Sequence, residues 1–427
     1  MSRLIHVFGD WAELGEVQHM GLLRGEEAHG REAFSFEYDS QWLASGPVMS
    51  LDPELQLYEG PQFLADQKRP NFGLFLDSSP DRWGQLLMNR REAVDARSEG
   101  REPRRLNALD YLLGVHDEQR MGGLRFKESP DGPFLSNEAG QSVPPWTRLR
   151  ELENAAWQIQ SVDSHDDKEV RQWINLLMAP GSSIGGARPK AGVCDQRDQL
   201  WIAKFPGRND ETDIGAWEML AHRLARSAGV NVADARIEKL GPSHHTFMTK
   251  RFDRVVVDGR RIRRHFASSM TMLGYSDGTS FHDGASYLEI VEFLTRHGSD
   301  VDCDLEELWR RIVFSICVSN TDDHLRNHGF LLQPDGWKLS PAYDINPSPH
   351  GTGLHLNISE NDNSLSLPLA LEVAEFFRLT KEKSRSILNE VGRSVRGWPS
   401  CAKDLGISRS EQELIRPAFV VAEQMDL

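Results

Sequence analysis

Apolar and polar residues alternate in two early runs, Ile5–Phe8 and Ala33–Tyr38, a period of two that predicts half-buried strands. The spacing lengthens to that of a helix over Trp83–Ala96 and Leu106–Gly114, so the first third reads as a mixed unit of strands and helices. Helical spacing returns over Leu149–Ser161 and Lys168–Met178, the second stopping at Pro180-Gly181. A strand is expected at Leu200–Phe205. The helix after it opens at Thr212 or Asp213, lines up Ile214, Trp217, Ala221, Leu224 and Ala228 on one stripe, and stops at Gly229. Thr246–Asp253 reads as another strand. Beyond Phe266 the pattern is mainly helical, over Ser286–His297, Leu305–Val318, Leu367–Phe376, Thr380–Val391 and Ser408–Met425. One hairpin interrupts it, with Gly329–Leu332 and Trp337–Leu339 joined by a turn at Pro334-Asp335-Gly336.

The Pro-, Gly- and Ser-rich stretch 129–145 is the expected linker. The pattern therefore predicts an α+β chain in three segments, 1–130, 146–255 and 256–427, with a strand-rich lobe preceding a mainly helical one. At 427 residues, 39% apolar and 26% charged, with mean hydropathy −0.50, the composition is that of a globular protein of two or three domains. No run has the apolar length of a membrane span, no secretory pattern opens the chain, and Cys194, Cys303, Cys317 and Cys401 form no CxxC pair. A cytoplasmic protein without a disulfide framework is expected. The net charge of −15 argues against the chain itself wrapping nucleic acid. Two basic stretches, 82–105 and 250–264, qualify this. Acidic residues dilute the first, which reads as solvated surface, and a secondary contact with DNA or an acidic partner stays open.

The chemistry concentrates at residues 321–344. The polar run Ser-Asn-Thr-Asp-Asp must leave the apolar helix as a loop, and the hairpin that follows carries Asp344 back beside it. Asp322 and Asn327 have the separation of the proton-accepting Asp and the metal-binding Asn of a protein-kinase catalytic loop. Asn327 and Asp344 offer hard oxygen ligands suited to Mg²⁺, and Asp322, off the metal, is free to take a proton. The plainer alternative is that Asp322, Asp323 and Asn327 are ordinary turn formers. His324 follows the base by two places, either as a protonated group offsetting transition-state charge or as a structural loop histidine. His324 and His328 have the spacing of a zinc pair but lack its glutamate.

Upstream, Ser183, Ile184, Gly185, Gly186 and Ala187 form a glycine-rich run ahead of a hairpin whose second strand carries Lys204. Glycines let backbone N–H groups approach phosphates, and a strand-borne Lys reaches the α and β phosphates as a point charge. Glu218, beside the stripe of the next helix, is placed to orient Lys204 or to lie solvated on the helix face. The backbone of 246–253 is where an adenine edge would bind.

Taken in order, Ser183–Lys190, Trp201–Lys204, Lys250–Arg254, Asn320–Asn327 and Pro341–Asp344 resemble the HipA-type serine/threonine kinase toxins, and Met20-Gly-Leu-Leu with Phe34–Trp42 is similar to that family's N-terminal subdomain. The resemblance covers nearly the whole chain. It implies a bilobal protein-kinase-like fold with the N-terminal subdomain at 1–130, and an ATP- and Mg²⁺-dependent protein kinase acting as toxin of a toxin–antitoxin pair. It further implies a helix-turn-helix, HipB-like antitoxin that binds operator DNA, and a protein substrate such as an aminoacyl-tRNA synthetase. By residue it implies Asp322 as base, Asn327 and Asp344 as Mg²⁺ ligands, Lys204 as phosphate lysine, Lys250 to Phe252 as hinge and Ser183 as autophosphorylation site. Arg188, Pro189 and Lys250 depart from the family's pattern. The competing expectations are a small-molecule phosphotransferase and a non-catalytic corepressor bound to a DNA-binding antitoxin.

Overall fold

The structure, a computed structural model, describes residues 2–28, 31–47, 49–66, 69–137, 143–161, 167–178, 186–242 and 244–426. Three long strands open the chain, β1 (Ser2–Gly9), β2 (Gln18–Ala28) and β3 (Arg31–Tyr38), each antiparallel to the next. Ile5 pairs with Leu23 and Leu23 with Phe36, so the alternation seen in sequence puts all three on the buried face. β2 is not among the expected strands, because Gly21 and the charged residues after Leu23 blur its period. Gly21 is required there: a Cβ would meet the Glu37 carbonyl oxygen at 2.2 Å. After α1 (Ser40–Ser45), β4 (Gln62–Phe63) pairs with β3. Beyond α2 (Gly73–Leu76), α3 (Arg82–Glu99) and α4 (Ala108–Gly114), β5 (Leu124–Lys127) returns to β1, giving the sheet order β4-β3-β2-β1-β5.

α5 (Leu149–Ile159) and α6 (Asp167–Met178) pack on each other and α6 packs on α3, where Arg171 pairs with Asp95 at 3.0 Å. β6 (Lys190–Cys194) and β7 (Leu200–Lys204) form the expected hairpin. Then come α7 (Ile214–Ser227), which Asp213 caps, and the antiparallel pair β8 (Ala235–Glu238) and β9 (Thr246–Lys250). A short hairpin, β10 (Arg254–Val257) and β11 (Arg260–Arg263), and β12 (Phe266–Ser268) lead into α8 (Ser269–Met272), α9 (Tyr287–His297) and α10 (Val301–Val318). The hairpin β13 (Gly329–Gln333) and β14 (Gly336–Leu339) falls where expected. Helices α11 (Leu367–Glu372), α12 (Lys381–Arg396), α13 (Trp398–Asp404), α14 (Arg409–Ile415) and α15 (Val420–Glu423) complete the chain.

These residues form two compact units. The first is Met1–Asn209 with Asp253–Ala267, and the second is Asp210–Phe252 with Ser268–Leu427. One expectation needs correction, and one contact left open by the sequence is narrowed. The single helix expected over 408–425 is broken into α14, a 3₁₀ turn at Arg416–Phe419 and α15, because Pro417 has no N–H to continue the helix. The basic stretch at 250–264 is not an open cationic face. Arg254 and Arg263 are buried, the first 2.6 Å from Asp253 and the second 3.1 Å from Asp117, while Arg261 is 2.8 Å from Asp198. No helix among the described residues is long and apolar enough to cross a membrane.

Candidate active site

α10 is buried from Leu308 to Val318, and it ends where Ser319 turns into the left-handed region (φ 49°, ψ 47°). The polar residues after it satisfy one another locally. The His324 N–H donates to the Asp322 carbonyl at 3.0 Å, and the Asn327 N–H donates to the His324 carbonyl at 2.8 Å. Asn327 Nδ2 donates to the Asp322 carbonyl at 2.9 Å, which orients the amide and leaves its oxygen unused by that bond. The Asp322 side chain is exposed, as a group that must meet a substrate hydroxyl requires.

Hairpin β13–β14 brings the second acid back, as the sequence predicts. Tyr343 donates its hydroxyl to the Arg326 carbonyl at 2.7 Å, and the Asn346 N–H donates to Asn320 Oδ1 at 3.2 Å, stitching the two loops together. Asp344 sits at φ 58°, a left-handed conformation that costs a non-glycine residue of the order of 1 kcal/mol or more and that clusters at functional sites. His324, half-buried, follows Asp322 in the same loop. Burial pushes its pKa down, while the negative charges of Asp322 and Asp344 both pull it up. Burial outweighs them, and the pKa is lowered.

The residue that sequence reasoning missed is Asp323. It is buried between the base and the metal-ligand candidate, 3.0 Å from His328 Nε2, and it accepts from the Tyr287 hydroxyl of α9 at 2.7 Å and from Ser315 Oγ of α10 at 3.4 Å. Burial alone would raise its pKa, but the neighbouring His328 and the hydrogen bond from the Tyr287 hydroxyl outweigh that and hold it below the usual carboxylate value. Asp323 thus ties two helices to the loop from beneath. His328, turned toward Asp323, is not available to pair with His324 as a zinc ligand. Ser315, Asn320, Asp323, Asn327, His328 and Tyr343 border one common cavity.

The other predicted residues fall as follows. Phe252, just past β9, lies with its ring 5.6 Å from that of Tyr343, so the proposed hinge and the loop of Asp344 meet within the second unit. Lys250 closes β9, its N–H donating to the Asp234 carbonyl at 2.8 Å. Glu218 is buried on α7, which removes the solvated alternative. In the first unit, Lys204 is buried at the end of β7, and Gly186 and Ala187 are exposed ahead of β6. Ser183, Ile184 and Gly185 lie outside the described residues.

Among the described residues, no group of three or more His, Cys, Asp or Glu side chains is arranged to hold a metal ion. Mg²⁺ on a nucleotide needs less, one or two carboxylates with the rest of its shell from phosphate and water. The oriented Asn327 amide and the Asp344 carboxylate fit that demand.

Comparison with known proteins bears on the family and the fold. The family described as HipA-like C-terminal domain matches residues 182–398, just over half of the chain. Two relatives carry provisional kinase names: Y4mE of Sinorhizobium fredii, 28% identical over 148 residues, and a protein of Haemophilus influenzae, 25% identical over 189 residues. The matches take in 34% and 40% of this chain, and they span only 33% and 54% of those proteins' own lengths. Among solved structures, a chain of the Shewanella oneidensis toxin–antitoxin complex of HipA, HipB and operator DNA superposes with a TM-score of 0.65 at 18% identity, covering 95% of both chains. That likeness shows the fold, the α+β protein-kinase-like fold with an added N-terminal subdomain expected from the sequence. The chain belongs to the family of proteins with a HipA-like C-terminal domain.

Proposed function

We propose that the chain is an ATP- and Mg²⁺-dependent serine/threonine protein kinase, the toxin of a HipA/HipB-like toxin–antitoxin pair in the cytoplasm. The observation that carries this reading is the exposed Asp322 locked through its own carbonyl to the Asn327 amide, with the Asp344 segment tied to the same loop by the Tyr343 hydroxyl on the Arg326 carbonyl. Asp322 takes the proton of the acceptor hydroxyl as its oxygen attacks the γ-phosphorus. Asn327 and Asp344 would hold Mg²⁺, which when bound draws charge from the β and γ phosphate oxygens. Buried Lys204 sets a positive charge against the phosphates, where exclusion of water strengthens it. Backbone groups of Lys250 to Phe252 take the adenine edge, and Ile184 to Ala187 cover the phosphates.

Ser183 is the site of autophosphorylation in this reading. Nearly two added negative charges in a phosphate-binding loop repel ATP and switch the kinase off. The partner is a helix-turn-helix antitoxin, through which operator DNA is met; the chain's own net charge of −15 supports leaving DNA to that partner. The protein substrate is a translation component such as an aminoacyl-tRNA synthetase. Incubation with γ-labelled ATP tests this. Label is expected on the chain itself, lost in Ser183→Ala, and on one protein of a cell extract. Label on small alcohols only, or on nothing, contradicts it.

A further inference from the structure

The glycine-rich segment enters β6 at Lys190, whose side chain is only 1% exposed. Its Nζ lies 2.7 Å from Asp81 Oδ2 and donates to the Gly186 carbonyl at 2.8 Å. The other Asp81 oxygen accepts the Gly84 N–H at 2.8 Å and so caps α3, while the Lys190 carbonyl accepts from Trp83 Nε1 at 3.0 Å. A buried ion pair therefore joins the first turn of α3 to the end of the glycine-rich segment, across a sequence separation of 109 residues.

Register adds a second fact. Lys190 stands directly opposite Lys204 in the β6–β7 hairpin. Opposed residues on antiparallel strands share a face with Cβ atoms about 5 Å apart, so two cations there repel unless one is neutralised. Asp81 neutralises Lys190.

We propose that Asp81 and Lys190 are a positioning pair for the nucleotide. They fix the backbone at Gly186 and leave the phosphates to Lys204, so Lys190, for all its place in a glycine-rich motif, is not itself a phosphate ligand. The proposal rests on the kinase reading above.

The test uses the full chain carrying Asp81→Asn with Lys190→Met. Breaking a buried pair on one side strands a charge, whereas neutralising both sides leaves none, and Asn still caps α3. Two readouts are taken: amide hydrogen exchange at Ala187 and Arg188 without nucleotide, and the KM for ATP against kcat. The expected result is unfolding at the wild-type midpoint, exchange at the two amides faster by about tenfold or more, and a KM for ATP raised about tenfold with kcat at saturation within about threefold. Lys190→Arg, which keeps a cation on Asp81, is expected to recover most of the KM. Unchanged exchange in a protein that binds ATP–Mg²⁺ overturns the pair's role, as does faster exchange with an unchanged KM. A fall in kcat alone also overturns it, by placing Lys190 in the chemistry. A wild-type chain that neither binds ATP–Mg²⁺ nor transfers phosphate overturns the kinase reading itself.

Discussion

Asp52 in the first unit and Asp323 in the second are both buried, yet their surroundings push them in opposite directions. Asp52 accepts backbone N–H groups from Glu54 at 2.9 Å and Leu74 at 2.8 Å, and Arg69 attracts it only weakly while holding Glu54 instead. Burial dominates and its pKa is pushed up to about 6. Asp323 is as deeply buried, but a histidine and a tyrosine hydroxyl replace the lost water, and its pKa is held below the usual value. The contrast shows what it takes to keep a charge beneath a reactive loop. Amide donors are enough for a turn, whereas the loop of Asp322 and Asn327 stands on a carboxylate held by side chains, His328 at 3.0 Å and the Tyr287 hydroxyl at 2.7 Å.

Removing that support breaks the contrast most severely. Asp323→Leu strands His328 and the Tyr287 hydroxyl in the interior, and a loss of about 3–5 kcal/mol is expected in urea unfolding. A loss under about 1 kcal/mol would mean that the carboxylate carries no such burden.

Stability against pH sharpens the comparison next. A carboxyl whose folded pKa is raised is stabilising below its unfolded pKa and loses that stability as pH rises through the folded value. Asp52, moved from 3.8 to about 6, is expected to make stability fall by about 3 kcal/mol between roughly pH 4 and pH 6 or above. Asp52→Asn removes that slope. Asp323 has the opposite sign: its contribution is present at neutral pH and is lost as pH falls through its depressed pKa. Denaturation midpoints over the acid range, wild type against each variant, separate the two. The smallest effect is expected from Tyr343→Phe, which removes one hydrogen bond to Arg326 and about 1 kcal/mol.

What the sequence reveals and conceals follows the length of the contacts. That the loop of Asp322 and Asn327 lies beside the one that carries Asp344 is legible because loop and hairpin are short and local geometry sets their meeting. The helices over 213–228, 286–297 and 305–318 are legible from apolar period and caps. Asp323 was not, since its partners Tyr287 and Ser315 come from two preceding helices and nothing in its neighbours marks it as buried. Asp81 and Lys190 lie farther apart still, and no spacing rule connects a helix cap to a strand entry. The arginines of 254–263 show the same limit: the acids that take up Arg263 and Arg261, Asp117 and Asp198, lie elsewhere in the chain. Pro417 was in plain view, and the apolar run around it masked the break.

The central claim is that Asp322 is the proton acceptor of a phosphotransfer site whose nucleotide is bound by other residues. Single-turnover γ-phosphate transfer and ATP–Mg²⁺ affinity, measured on the wild type and on Asp322→Asn, test it directly. The account predicts that transfer falls by about 10²–10⁴-fold while affinity stays within about threefold. Transfer at the wild-type rate in the variant, or binding lost together with transfer, would contradict it.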